Sequence, residues 1–299
     1  MQEYHVPVLL SESLKGLNIR EGGVYVDLTF GAGGHSRAIL ELLGNQGKLY
    51  GFDQDEDAWK NALGDPRFIL VKANFRHIHR FMRFYGEKHV DGVLMDLGVS
   101  SHQINWAERG FSYRFEANLD MRMNIRQPLS AVHILNNYPE YRLQEIFSRY
   151  GEIRNAKMLA RTLANQRMHQ KLVTTGQLNS ILKSLAIGPE VKYYSKVYQA
   201  IRMEVNDEEG ALKEAMEASI KVLTNGGRLV VISYHSLEDR MVKNFIRSGN
   251  AEGHLEKDFF GHGYKPLKSV NKKPILPGEE ELKNNPRSRS AKLRIAEKN

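Results

Sequence analysis

Residues Val24 to Ser36 read VYVDLTFGAGGHS, and this stretch decides the fold. Val24, Val26 and Leu28 are apolar and β-prone, with Asp27 near the end of the run, so a buried strand is expected. Gly31, Gly33 and Gly34 follow at once, and Ile39, Leu40, Leu42 and Leu43 then recur at helical spacing. A strand, a glycine turn and a helix N-terminus make the nucleotide-binding corner of open α/β sheets. Backbone approaches a ligand closely there because no Cβ intervenes.

Three ligand classes compete for such a corner. A phosphate-binding Walker loop needs Gly-Lys-Ser/Thr, and no Lys stands here. A dinucleotide fingerprint wants a third glycine where this chain has Ser36. S-adenosylmethionine has no pyrophosphate and asks only for an acid to hold its ribose. Asp53 supplies one at the end of the next expected strand, Lys48 to Asp53, about 20 residues past the glycines.

Outward from that corner the elements alternate. A short helix is expected over Asp55–Leu63, a strand over Phe68–Ala73, a helix over His77–Tyr85 and an apolar strand over Val90–Leu97. Before the corner, Tyr4–Lys15 reads as an entry turn or strand and a short helix capped by Ser11. The β-α-β-α order gives a parallel, doubly wound sheet with ligand groups at the carboxyl ends of its strands. Asp27, Asp53, Phe75 and Asp96 all stand at such ends or just beyond.

After Ser101 the alternation stops. Leu129 to Ile187 is helical and basic, with Thr174 and Gln177 forming a capping box. We therefore expect a helical insertion over residues 112–208, between sheet-forming segments 1–111 and 209–299. Alternation resumes with a helix to Leu223, ended by Asn225-Gly226-Gly227. A buried strand Arg228–Ser233 and a helix Leu237–Ile246, capped by Ser236 with Asp239, come next. Residues 249–286 read mostly as loop, and Ala291–Ala296 as an antiparallel strand near a sheet edge.

Composition narrows the function. The 299 residues carry no cysteine, which excludes disulfides, thiolate metal sites and the thiol nucleophile that carbon methylation of a pyrimidine generally uses. No His/Asp/Glu cluster has metal-ligand spacing, so no metal is expected. No apolar run approaches a membrane span and no signal peptide opens the chain, so a cytoplasmic protein is expected. The net charge of +8 suggests a polyanionic partner. It is concentrated: residues 141–187 hold eight Lys/Arg against two acids, and residues 264–299 ten against four.

At this point the chain resembles the ribosomal-RNA cytosine-N4 methyltransferases of the small subunit, the RsmH/MraW family. The blocks that carry the resemblance are TFGAGGHS (Thr29–Ser36), FDQD (Phe52–Asp55), MDLGVSSHQ (Met95–Gln103), ERGFS (Glu108–Ser112) and LDMRM (Leu119–Met123). YQAIRMEVN (Tyr198–Asn206), SYHSLEDR (Ser233–Arg240) and NPRSRSAKLR (Asn285–Arg294) complete the set in family order. The resemblance implies a class I, Rossmann-like methyltransferase fold with an inserted helical domain. It also implies S-adenosylmethionine as donor and a cytidine in the decoding-centre region of small-subunit rRNA, reached within the small ribosomal subunit, as substrate. Gly33, Gly34 and His35 would hold the methionine end, Asp53 the ribose and Phe75 the adenine, with Asp96 and Gln103 closing the site.

For the chemistry, Asp96 or a carbonyl of Leu97 or Gly98 is expected to accept from the cytosine N4, with Ser100 and Ser101 orienting the base and His235 at the pocket rim. RNA contacts are expected from Arg109, Arg114, Arg122, Arg154, Lys157 and Arg161, with Phe111 and Arg126 in the same Arg–aromatic loop. Other readings stay open: a non-catalytic RNA-binding assembly factor, an NAD-dependent oxidoreductase, or a methyltransferase on another substrate. Oligomeric state, monomer or homodimer, is not set by the sequence.

Overall fold

The computed structural model describes residues 7–255 and 263–299. In chain order, α1 (Leu10–Leu17), β1 (Val24–Asp27), α2 (Gly34–Leu42), β2 (Lys48–Phe52), α3 (Glu56–Trp59), β3 (Phe68–Val71), α4 (Ile78–Phe84) and β4 (Val90–Asp96) come first. Six helices follow: α5 (Ser101–Asn105), α6 (Ala131–Asn137), α7 (Glu140–Arg149), α8 (Ala156–His169), α9 (Thr175–Leu185) and α10 (Glu190–Asn206). The chain ends with α11 (Glu208–Val222), β5 (Leu223–Ser233), α12 (Ser236–Ser248), β6 (Leu267–Ser269), α13 (Glu279–Asn284) and β7 (Lys292–Lys298).

The strands form one sheet in the order β3-β2-β1-β4-β5-β7-β6. β1 to β5 pair in parallel, and β7 runs antiparallel between β5 and β6. The helices between parallel strands make the crossovers that such pairing requires. This is the α/β architecture expected from the sequence. Along each strand alternate residues enter opposite faces. Val26, Tyr50, Val93 and Val231 join one apolar core, while Tyr25, Leu49, Leu94 and Val230 join another. Both faces are therefore dry, as a parallel sheet demands.

The chain divides into two compact units. One comprises the chain up to Gly98 and from Glu209 onward, and carries the sheet; the other is Val99–Glu208. The first break falls ahead of residue 112, where the insertion was expected to begin, and Phe111 is already buried in the second unit's own core with Leu119, Met121, Phe147 and Leu163. Among the described residues, no helix is long and apolar enough to cross a membrane.

Several local expectations need correction. Asn225-Gly226-Gly227 does not cap α11. Leu223 already pairs with Val90 and Arg228 with Gly92, so the glycines form an excursion within β5, with Gly226 at φ 77°. Ser11 lies inside α1, whose N-cap is Leu9, and α3 stops at Trp59. Residues 4–6 of the entry segment and 256–262 of the expected loop lie outside the described residues; the rest of that loop includes β6 and α13.

Candidate active site

The glycine corner is built as β1 ends and α2 begins. Gly33 is the N-cap of α2 with φ 77°, and a Cβ there would sit 2.8 Å from the Phe30 ring. A Cβ on Gly34 would meet Pro7 at 2.4 Å. Above Gly31, by contrast, a Cβ would find nothing nearer than 3.9 Å. The loop is tied down from two sides: Asp53 Oδ2 accepts the Gly31 N–H at 2.9 Å, and Asn61 Nδ2 donates to the Gly31 carbonyl at 3.0 Å. Asp53 Oδ1 accepts the Asp55 N–H at 2.8 Å. Next to it, Asn74 Nδ2 donates to Gln54 Oε1, and Phe75 opens a single 3-10 turn, half-buried.

Three acids converge on the carboxyl edge of the sheet. Asp27 is buried and accepts from the Ser36 hydroxyl at 2.7 Å and the Thr29 N–H at 3.1 Å. Asp96, at the tip of β4, donates its N–H to Thr29 Oγ1 at 2.7 Å. Its Oδ1 accepts the Tyr234 phenol at 2.8 Å, and its Oδ2 lies 3.8 Å from His35 Nδ1. His35 Nε2 reaches the Val8 carbonyl at 3.1 Å, which can only accept, so this nitrogen carries a hydrogen. Burial pushes Asp53 and Asp96 up to about 6, against the Asp55 and Gly31 N–H groups at Asp53 and against His35 and Tyr234 at Asp96. Asp27 is pushed up by burial too, against His35, Ser36 and Thr29.

Other expected residues have structural work. Ser100 caps α5 and forms a capping box with Gln103: Ser100 Oγ accepts the Gln103 N–H and Gln103 Oε1 the Ser100 N–H. Ser101 opens α5, and its side chain lies outside the described residues. At α12 the cap is His235 with Glu238, not Ser236 with Asp239. Asp239 instead pairs with Arg294 at 2.7 Å and Lys292 at 3.2 Å, joining α12 to β7.

The expected RNA-contacting residues fall into two groups. Arg122 chelates Asp120 through two 2.7 Å bonds and donates to the Ile125 and Gln127 carbonyls. Arg109 donates to the Arg122 and Met123 carbonyls and stacks on Phe111, which is buried. Both arginines brace the loop they belong to. Arg114, Arg154, Lys157 and Arg161 are exposed. Lys157 and Arg161 lie one turn apart on α8, opposite its buried Leu159, Ala160 and Leu163.

Comparison with known sequences decides the family, for the profile described as the MraW methylase family matches residues 2–299. The chain belongs to that family. The methylase is 54% identical over 297 residues to a protein of Parabacteroides distasonis named ribosomal RNA small subunit methyltransferase H, covering 99% of this chain and 97% of that one. A protein of the same name from Phocaeicola vulgatus is 55% identical over 298 residues, with 99% and 98% covered. Among solved structures, an rRNA methylase from Streptococcus thermophilus aligns with a TM-score of 0.43 at 13% identity, covering 98% of each chain.

The methyl donor of the methylase is S-adenosylmethionine, and the corner suits it. Open space over Gly31, the N–H groups of α2's first turn, which have no acceptor among the described residues, and a carboxylate on the adjoining strand match a ligand with an uncharged ribose and no phosphates. Two residues escape a sequence reading of the site. Thr29 supplies a hydroxyl to Asp96, and Tyr234 a phenol. Tyr234 carries a usable signal: it is the first residue beyond a buried parallel strand, on the edge where such sheets place functional groups.

Proposed function

We propose that the methylase transfers a methyl group to the exocyclic N4 of a cytidine in the decoding-centre region of small-subunit rRNA, within the small ribosomal subunit. Methyl transfer from S-adenosylmethionine to small-subunit rRNA follows from its family; the nitrogen and the nucleotide are our reading. One observation carries it: Asp96, at the tip of β4, has Oδ1 tied to a phenol while Oδ2 lies beyond hydrogen-bond reach of His35.

S-adenosylmethionine supplies an electrophilic methyl group on a sulfonium. The first turn of α2 at Gly33, Gly34 and His35 would hold its methionine end, Asp53 its ribose hydroxyls and Phe75 its adenine. The N4 amine of cytosine is a weak nucleophile because its lone pair is delocalised into the ring. Asp96 Oδ2 accepts the proton that N4 sheds as its bond to carbon forms. An ionised acceptor, fixed before reaction, stabilises the charge growing on nitrogen. The absence of cysteine agrees with a nitrogen target, since nitrogen needs no covalent activation of the ring.

The basic face of α8, with Lys157 and Arg161 and with Arg154 just ahead of it, grips the rRNA backbone, and Arg114 with the adjacent exposed Phe115 meets unpaired bases. The target base must be unstacked for N4 to reach the methyl group. Mass mapping of methylated nucleotides in small-subunit rRNA, with and without the protein, tests the reading. A single cytidine that lacks its N4-methyl mark without the protein is expected; an unchanged map, or a mark lost from another base, would overturn it.

A further inference from the structure

We propose that Tyr234 is a positioning residue for methyl transfer, holding Oδ1 of Asp96 so that Oδ2 faces the substrate amine as proton acceptor. The proposal rests on the role given to Asp96 above and extends it to a residue outside the glycine corner.

The sheet itself brings the two side chains together. Asp96 on β4 pairs with Ile232 on β5, so these residues share a face. Tyr234 is two residues beyond Ile232, on that same face, and its ring packs against the core that Ile232 enters. The phenol then spans the end of the sheet to Asp96 Oδ1 at 2.8 Å. Its backbone is fixed as well: the Tyr234 N–H donates to Glu238 Oε2 at 2.9 Å, and Glu238 is the capping-box partner of His235. The SYHSLEDR block thus reads as a mount. His235 and Glu238 fasten the start of α12, and that start presents Tyr234 to Asp96.

On the other side, Thr29 Oγ1 takes the Asp96 N–H. Tyr234 takes Oδ1 and Thr29 takes the backbone N–H, so Oδ2 is the oxygen left for the substrate. Its charged or titratable neighbours are His35 from α2, Asp27 from the end of β1 and Glu238 from α12; Glu281 also faces Tyr234. The phenol cannot be the base. Burial and the neighbouring Asp96 push its own ionisation far above the range of any assay, so it remains an O–H donor. A donor to the ionised carboxylate holds the Asp96 pKa down. Removing it therefore moves the Asp96 titration to higher pH.

The test is Tyr234→Phe, which keeps the ring and deletes the hydroxyl. Transfer of labelled methyl from S-adenosylmethionine to small ribosomal subunits lacking the mark is measured against pH. The expected result is a fall in kcat of roughly 10- to 100-fold, with the KM for S-adenosylmethionine changed less than about threefold, as for a residue that does not touch the donor. The acid limb of the profile should move up by about one pH unit. A limb that superimposes on that of the unsubstituted protein, or a loss confined to KM, would overturn the proposal. Carboxyl NMR titration of Asp96 in both proteins reads the same shift without turnover, so a poorly active variant still decides the matter. Asp96→Asn separates the two claims. If it retains turnover, the acceptor role itself fails. If it is inactive while Tyr234→Phe leaves the limb in place, only the positioning role fails.

Discussion

At the carboxyl edge of the sheet, Asp27 is buried, Asp53 and Asp96 are half-buried, and each is held by named donors. On α8 and just ahead of it, Arg154, Lys157 and Arg161 stand exposed at one-turn spacing. The two regions use charge in opposite ways. Burial raises the cost of ionising each acid, so its chemistry depends on a few bonds set to a fraction of an ångström. Exposed cations act through the summed field on a polyanion, so no single one is decisive and salt weakens them all. The loop between Gly110 and Gln127 shows that residue type alone does not tell which regime applies. Its Arg122 has the same side chain as Arg154, yet serves as an internal brace.

Substitutions can break that contrast. The largest effect is expected at Asp96→Asn, where turnover should fall by about 10²- to 10⁴-fold, the range for removing a positioned base. Thermal melting should show a midpoint no lower than that of the parent, because the substitution removes a carboxylate that burial disfavours. Asp53→Ala should come next, weakening S-adenosylmethionine binding by about 10- to 100-fold in calorimetry, as expected for losing a charged hydrogen-bond acceptor. Unchanged donor affinity would remove Asp53 from the cofactor corner.

Smaller effects sharpen the other side. Arg122→Ala should cost about 1–3 kcal/mol in urea unfolding, through the Asp120 carboxylate and carbonyls left behind, whereas Arg154→Ala should cost within about 0.5 kcal/mol. Replacing Arg154, Lys157 and Arg161 together with Gln should lower the slope of log affinity against log salt by roughly 2 for single-stranded rRNA, with donor affinity unchanged. An unaltered slope would place the RNA grip elsewhere. The pH dependence should carry two opposite signs. Asp53 and Asp96 titrate near 6 when folded, above their ordinary range, so protonation favours the native state. Their contribution to stability therefore increases as pH falls from about 6 toward 4, while turnover falls because Asp96 loses its charge. Parallel melting and activity profiles check both.

Much of the site was legible because short-range rules govern it. Buried strands, a glycine turn and an acid about 20 residues on each leave a local mark. Misreadings arose where one local pattern has two tertiary outcomes. Asn225-Gly226-Gly227 suits a helix stop and a strand excursion equally, and only the pairing of Leu223 with Val90 selects the second. The LDMRM and MEVN blocks carry no sign of their joint role. Asn206 bonds the Met121 carbonyl and the Met123 N–H across more than 80 residues, holding Met121 at φ 59°. Likewise Asp239 could have capped its own helix, but two cations on β7 claim it.

The sequence by itself determined the strand–turn–helix succession of the corner, the acids at the strand tips and the basic character of the helical unit, since each follows from periodicity, turn chemistry or charge count. Tertiary structure alone decided which arginines are braces and which are exposed. It also decided that a phenol from the end of β5 reaches the acid at the tip of β4. The reason is physical: a side chain's role depends on what comes within about 3 Å of it, and for Tyr234 and Asp96 that partner is 138 residues away.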